Sequence, residues 1–309
     1  MTPDPATPLL IHIGYHKTAT TWMQHKLFVP AFGYHPIMTH QEVFDLITRP
    51  HGLTFDPAPV QTLIAARSAD LPAGAVAVIS SEILSGHPFY GGRESDVFAA
   101  RLAAIAPGAR ILITTRAQMR ILPSVYMQYL SRGGTMTAEA FFADAPSLGF
   151  PAFAPEHFDY DLLVGCYQRL FGADAVHVGT QEHLSRDRDG FVAALKDFAG
   201  NHVETARPSP ESGTFAPSYP EYAAPILRRI NHLQSGPAGE APIIELGRNP
   251  DGLYRRIGYL MRSGAAKALL GKRTPVSDVV KARFTGRYSA SNRRLAEMLP
   301  PSVDLSKYV

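Results

Sequence analysis

A chain of 309 residues with 45% hydrophobic and 18% charged side chains can bury a substantial core, which excludes disorder as the default and suits one large α/β domain with an appended segment. Its formal net charge of +3 is too small for a protein coated in nucleic acid, so no nucleic-acid partner is expected. The single cysteine, Cys166, excludes an intrachain disulfide, and no segment approaches the roughly 20 apolar residues of a membrane span.

The N-terminus, MTPDPATPLLIHIG, has neither a basic region nor a long apolar run, so no signal peptide is read there and a soluble, cytoplasmic protein is expected. Short β-branched runs then alternate with helical patterns, the arrangement of a parallel sheet with crossover helices. Strands are expected at Leu9 to Ile13, Ala75 to Ser80, Arg110 to Thr115 and Ala175 to Gly179, each apolar on both faces as buried parallel strands are. Three stripes at the 3.6-residue period predict helices packed on the core. They are Val97, Phe98, Leu102 and Ile105; Leu163, Val164, Tyr167, Leu170 and Phe171; and Phe191, Ala194, Leu195 and Phe198, the last behind a cap at Asp187 or Asp189. Cys166 falls in the second of these helical patterns and reads as core packing.

Pro and Ser cluster over residues 207–220, and Gly and Pro over 235–250, compositions of loops or linkers. A soft boundary near residue 205 follows. The expected division is an α/β core over 1–205 and, over 206–309, a linker with a helical, basic part that packs on the core and could lid a site there. Between Asp251 and Arg294 stand eleven Lys and Arg against two acids, Asp251 and Asp278. A solvated helical face and an anion-facing surface both fit that pattern.

The first strand runs into Gly14 and the string HIGYHKTATTWMQH, residues 12–25, with a helix expected from Thr20 or Thr21 and Trp22, Met23 and Leu27 on its apolar side. A loop between strand and helix aims backbone N–H groups and the positive helix end at one point, which is how proteins hold phosphate. Thr18, Thr20 and Thr21 add hydroxyl donors, and Lys17 adds a movable charge. A nucleoside-triphosphate loop reads GxxxxGK[ST]; here the lysine comes three residues after Gly14 and the second glycine is absent. The later strands end in Ser80-Ser81-Glu82 and Thr114-Thr115-Arg116 rather than in an aspartate for magnesium. A metal-dependent triphosphatase is disfavoured and no metal is expected.

The string HKTATTW resembles the 5′-phosphosulfate loop of sulfotransferases that use 3′-phosphoadenosine 5′-phosphosulfate (PAPS), a lysine followed by small-Gly-Thr-Thr and often Trp; Ala19 stands where that family usually has glycine. A second match lies in RILITTRAQMRILPSVYMQYL. A strand-end arginine, Arg116, is followed eight residues on by Ser124, the spacing of the pair that binds the 3′-phosphate in that family, with the serine at a helix start. Arginine offers fork-like donors to phosphate oxygens, and a serine hydroxyl near a helix start adds another. Pro123 departs from the family pattern by threatening the helix that carries the serine. Residues 176–200 resemble the family's strand, acidic turn and helix, and residues 284–299 its C-terminal aromatic, Asn and Leu pattern.

The resemblance implies an α/β fold, a three-layer parallel sheet flanked by helices of the P-loop-like sulfotransferase type, with a helical C-terminal extension. It implies PAPS as sulfuryl donor, PAP as product, and an acceptor hydroxyl or amine on a small molecule, lipid or carbohydrate. His16, Lys17, Thr18, Ala19, Thr20, Thr21 and Trp22 would surround the 5′ end of the donor, Trp22 offering its ring to adenine unless it is simply a buried helical tryptophan. Arg116 and Ser124 would hold the 3′-phosphate, and Lys17 would neutralise the departing phosphate oxygen. A base is expected after the strand ending at Ser80, with Glu82 the first candidate and His87 the second; Glu82 capping a helix or pairing with Lys17 or Arg116 is the alternative. Phe89, Tyr90, Tyr126, Tyr129, Phe153 and His157 line an acceptor pocket or belong to the core, and a homo-oligomer is compatible with all of this. Two other readings stay open: a P-loop small-molecule kinase, and a non-catalytic anion-binding protein.

Overall fold

The computed structural model describes residues 7–143, 153–211, 218–238, 242 and 245–308. In chain order it contains β1 (Leu9–Gly14), α1 (Thr20–Trp22, continued by a π-type turn over Met23–Leu27), β2 (Tyr34–Met38), α2 (His40–Val43), α3 (Ala58–Ser68), β3 (Val76–Ser80), α4 (Ser95–Ile105), β4 (Arg110–Thr115) and α5 (Gln118–Ser131). There follow α6 (Ala138–Phe141), α7 (Tyr160–Phe171), β5 (Val176–Thr180), α8 (Gln181–Arg186), α9 (Arg188–Ala199), α10 (Ala224–Asn231), α11 (Gly252–Met261), α12 (Gly264–Leu270), α13 (Pro275–Phe284) and α14 (Ser289–Met298).

The five strands form one sheet in the order β2-β3-β1-β4-β5, every neighbouring pair parallel. Alternation along the strands divides the core in two. Ile11, Ile13, Ile79, Ile111, Ile113 and Val178 face one cluster, built with α4, α5 and α7; Leu10, Val78 and Leu112 face another, built with Trp22, Leu27, Phe28, Phe191 and Leu195. Helices therefore cover both faces, the three-layer α/β arrangement expected from the sequence. From β1 the chain runs first to the edge strand β2, returns to β3 beside β1, and then crosses to β4 and β5 on the other side. The carboxyl ends of β1, β3 and β4 thus meet where a doubly wound sheet opens its binding crevice.

The four expected strands are present with ends shifted by a residue at most. A fifth, β2, is missing from the sequence reading because Pro36 sits in its middle; as an edge strand it tolerates a residue with no N–H, and the register shifts between Pro36 and Met38. The helical stripes hold in the main, but Val97, Leu170 and Ala194 face solvent, so each buried stripe is narrower than the periodicity suggests. Asp187 is the cap of α9, accepting from the Gly190 N–H at 2.9 Å. The described residues of the 207–220 stretch form neither helix nor strand, as expected of a loop, and the loop is anchored at Ser209 and Pro210. Ser209 donates to Asp189, and Arg188 donates to the Pro210 carbonyl at 3.2 Å.

The C-terminal helices share the larger core: Leu227, Tyr254, Val280, Phe284, Tyr288 and Leu295 all belong to it. Of the eleven cations in that region several are structural. Arg287 pairs with Asp159 and Glu156 at 3.1 and 3.5 Å, and Arg294 pairs with the buried Asp161 at 2.6 Å, tying the C-terminal segment to α7. Among the described residues no helix is long and apolar enough to cross a membrane.

Candidate anion-binding active site

A buried chain of polar side chains runs across β3, β1 and β4 beneath the loop that follows β1. The Thr18 hydroxyl donates to the Tyr15 carbonyl at 2.6 Å and lies 2.8 Å from the Thr114 hydroxyl. Thr114 is 3.1 Å from His12 Nε2, His12 Nδ1 is 2.8 Å from the Ser80 hydroxyl, and Gln24 Nε2 donates to Ser80 Oγ at 3.2 Å. A carbonyl only accepts, so the directions as far as His12 follow from Tyr15, and a neutral imidazole sets the remaining one. Thr18 must accept from Thr114, Thr114 from His12 Nε2–H, and the bare His12 Nδ1 from Ser80. Complete burial keeps the imidazole neutral by holding the His12 pKa down at about 3, so that Nδ1 is left to accept.

This chain anchors a contorted backbone. Lys17 and Ala19 have φ of 70° and 68°, and Thr18 between them does not share the positive φ. Left-handed residues at alternate positions turn N–H groups inward, the geometry of an anion-binding nest. Ala19 is also the residue preceding α1, whose first turn has no side-chain cap and no acidic residue. Its N–H groups and positive end therefore remain available to an anion. Gly14 allows the close fold of the loop: a Cβ there would lie 2.2 Å from the Thr20 methyl and 2.7 Å from Thr114 Oγ1.

Arg116, at the end of β4, closes the other side. Its guanidinium donates to the Lys17 carbonyl and to Ser124 Oγ, both at 3.4 Å, while its buried Nε has no partner among the described residues. Its backbone is held by Tyr160, whose hydroxyl donates to the Arg116 carbonyl at 2.7 Å. Glu182 accepts from the Ala117 N–H at 3.2 Å and from Tyr308 Oη at 3.4 Å. Burial, opposed by Glu182, lowers the Arg116 pKa. Burial also lowers that of Lys17, with Glu82 pulling the other way and Arg116 and Arg132 adding to the fall. Two cations thus stand at a loop that offers few counter-charges.

Glu82 opens the short turn Glu82–Ser85 after β3, half-buried and facing Lys17 without forming an ion pair. His87 follows on a loop that needs glycine: Gly92 has φ of 58°, and a Cβ on it would lie 2.2 Å from His157 Nδ1. The His16 and His87 rings are 5.6 Å apart. Burial, with the Arg132 charge beside it, holds the His87 pKa down at about 4; burial, with His87 nearby, holds that of His157 at about 3, and His16 is pushed well down by burial and by its cationic and histidine neighbours. All three stay neutral. Among the described residues no three His, Cys, Asp or Glu side chains are arranged to hold a metal ion.

The loop residues His16 to Trp22, Glu82, His87, Arg116 and Ser124 therefore gather at one sheet edge, but several do different work from that expected. The Thr18 hydroxyl is no donor to a ligand, because it is buried and bonded within the loop. Trp22 is only 6% exposed, packs in the smaller core and donates its indole N–H to the Glu211 carbonyl at 3.2 Å, so the structure fits the buried alternative rather than adenine stacking. Ser124 does not start a helix: α5 begins at Gln118 and continues through Pro123, its apolar side buried, and Ser124 lies in its second turn, donating to the Arg120 carbonyl at 3.3 Å. Thr20 is buried and Thr21 exposed, and neither hydroxyl is bonded to another described residue.

Phe89, Tyr126, Tyr129 and Phe153 are core, in tilted and edge-to-face contact with Phe141 and Phe142, and the Tyr90 side chain lies outside what is described. A cavity of about 350 Å³ does exist, bounded by Tyr15, Gly92, Asp96, His157, Leu163 and Cys166, and it contains none of Lys17, Glu82, His87 or Arg116. Burial raises the Cys166 thiol above its ordinary pKa, which suits packing. Sequence reasoning missed His12, Thr114, Tyr160 and Arg132. Only Arg132 left a signal, a lone cation before Gly133-Gly134 at a helix end.

Among solved structures, a crystal structure of a sulfotransferase from Alicyclobacillus acidocaldarius is similar to this chain, with 21% identity, 74% of this chain and 90% of that chain covered, and a TM-score of 0.49. No family model and no curated protein matches the chain.

Two outcomes follow from the loop. A side chain in the left-handed region costs about 1–2 kcal/mol, so Ala19→Gly should raise stability by about 0.5–1 kcal/mol in urea unfolding, after allowing for the greater freedom of an unfolded glycine. His12 refuses in the folded state a proton that it takes when unfolded at its ordinary 6.5. Stability is therefore full above pH 6.5 and falls as the pH drops toward 3, by about 1.4 kcal/mol per pH unit for this histidine. His12→Gln should reduce the measured slope between pH 6 and 4 by about that amount.

Proposed function

We propose that this chain transfers a sulfuryl group from PAPS to a hydroxyl or amine of a small-molecule, lipid or carbohydrate acceptor. The observation that carries this reading is Arg116, which bridges Ser124 and the Lys17 carbonyl while its buried Nε lacks a partner. It makes a second anion point beside the nest of Lys17 and Ala19, as a ligand with a 3′- and a 5′-phosphate group needs. PAPS, when bound, would supply the activated sulfuryl group. The nest amides and the first turn of α1 would hold its 5′ side, and Arg116 and Ser124 its 3′-phosphate. Lys17 would offset charge on the departing phosphate oxygen while Glu82 accepts the acceptor's proton. Glu82 is favoured over His87 as base because His87 has Nδ1 engaged by the Phe89 N–H and a cation beside Nε2.

A magnesium-dependent kinase is the less favoured reading, since the Thr18 hydroxyl, next to the lysine where such a loop holds its metal, is taken up by Tyr15 and Thr114. Calorimetry with PAP tests the choice. Lys17→Ala and Arg116→Ala should each weaken binding about tenfold to a hundredfold, the loss of a charge-assisted contact. Glu82→Gln should leave PAP affinity within about twofold and lower turnover by about 10²–10⁴-fold. Unchanged PAP affinity in both cation variants would displace the site, and magnesium-dependent consumption of ATP would favour the kinase. Mass spectrometry of cell extract incubated with PAPS, searched for products heavier by one sulfonate, would identify the acceptor.

A further inference from the structure

The C-terminal part contains an apolar helix that buries nothing. α12, GAAKALL over Gly264–Leu270, has five apolar residues of seven, yet none of them is buried, and Leu269 is 81% exposed. Its cap is Ser263, which accepts from the Ala266 N–H at 3.2 Å. Arg262 and Ser263 alone separate it from α11, which does divide into two sides. Tyr254 and Gly258 are buried, with Leu253, Ile257 and Met261 packed on the larger core; Arg255, Arg256, Tyr259 and Leu260, at i, i+1, i+4 and i+5, make the exposed stripe. Tyr259 and Leu260 are 53% and 57% exposed. Single exposed leucines are ordinary, but an apolar helix next to an apolar stripe marks an interaction surface.

Charge selects the partner. Between Asp251 and Arg273 the chain carries six Lys and Arg against one acid, and that acid, Asp251, is taken by Arg255 at 3.2 Å. Arg256, Lys267, Lys272 and Arg273 are exposed and make no ion pair with a described residue. A nucleic acid would satisfy these cations and leave Leu260 and Leu269 in water; an apolar protein groove would do the reverse. The boundary of an anionic bilayer offers phosphate oxygens and acyl chains at neighbouring depths, and a tyrosine ring suits the level between them. The Arg262 guanidinium stands over the Tyr219 and Tyr259 rings at 4.5 and 5.5 Å and steadies Tyr259 at the edge of the stripe. We propose that α11 and α12 dock the chain on an anionic lipid bilayer, Tyr259, Leu260 and Leu269 entering the headgroup boundary while Arg256, Lys267, Lys272 and Arg273 meet lipid phosphates. This docking does not depend on which donor the loop after β1 binds.

The test sediments the full chain, without nucleotide, with vesicles of phosphatidylcholine alone and with a third of the lipid replaced by phosphatidylglycerol, at low and at high salt. Binding is expected with phosphatidylglycerol, weak without it, and falling as salt rises. Each cation near an anionic surface is worth about fivefold in affinity, so Lys272→Gln together with Arg273→Gln should weaken binding about 25-fold. Leu260→Ser together with Leu269→Ser should weaken it by about tenfold or more. Leu269→Trp adds a fluorophore to a chain whose one tryptophan, Trp22, is only 6% exposed. Its emission should move to the blue on anionic vesicles and escape quenching by acrylamide. The proposal is overturned if the wild type does not bind anionic vesicles, if it binds phosphatidylcholine equally, or if either paired variant, melting with the wild type, binds as the wild type does. Loss in the cation pair alone, with no shift of emission, would make the surface a site for a polyanion such as RNA and overturns it too. Because no nucleotide is present, failure of PAP binding leaves the vesicle result readable, and failure of vesicle binding leaves the PAP result intact.

Discussion

The candidate site depends on a hydroxyl that faces away from any ligand. Thr18 sits between two residues held in left-handed backbone geometry, a conformation that side chains resist, and its bond to the Tyr15 carbonyl closes the loop that imposes it. The bond is the end of a relay through Thr114, His12, Ser80 and Gln24, which reaches across three strands. A fixed acceptor at one end and a neutral histidine in the middle leave the relay one direction. Buried in low dielectric, such a chain is stiffer than its members taken singly. The strain of the nest is therefore carried by the sheet.

Electrostatics at the mouth follow from the same burial. Water that would solvate Lys17 and Arg116 is largely excluded, so both hold their protons less tightly than usual and a polyanion would gain from approaching them. His16, His87 and His157 stay neutral under the same pressure and add donors and acceptors without adding charge. Glu82 is the acid that faces Lys17.

The C-terminal part reaches the site from outside. Asn292 on α14 pairs its amide with Gln118 at the start of α5, at 2.8 and 3.3 Å, and accepts Tyr308 into the same cluster by donating to its carbonyl at 3.0 Å. Thr115, directly before Arg116, lies 2.9 Å from the Tyr308 hydroxyl. Gly236 and Ala238 hold Arg132. The basic character of residues 251–294 is accordingly divided between ion pairs that hold these helices on α7 and a solvated surface.

Strand periodicity and the string around Lys17 were legible because they are local: buried parallel strands are continuously apolar, and a loop that must approach an anion needs Gly14 and small or hydroxylated residues in sequence. Arg116 and Ser124 were legible as a spacing, although the helix that carries the serine begins earlier than Pro123 suggested. β2 was hidden because an edge position forgives the proline that would disqualify an inner strand. The sequence by itself determined the alternation of strands and helices and the residue types at the sheet edge. Only the tertiary structure decided which of those side chains face outward: Thr18 and Trp22 are claimed by partners 96 and 189 residues away, and Arg132 meets His87 across 45. No local pattern encodes such contacts, because they arise from which strands lie side by side and which helix ends are pressed together.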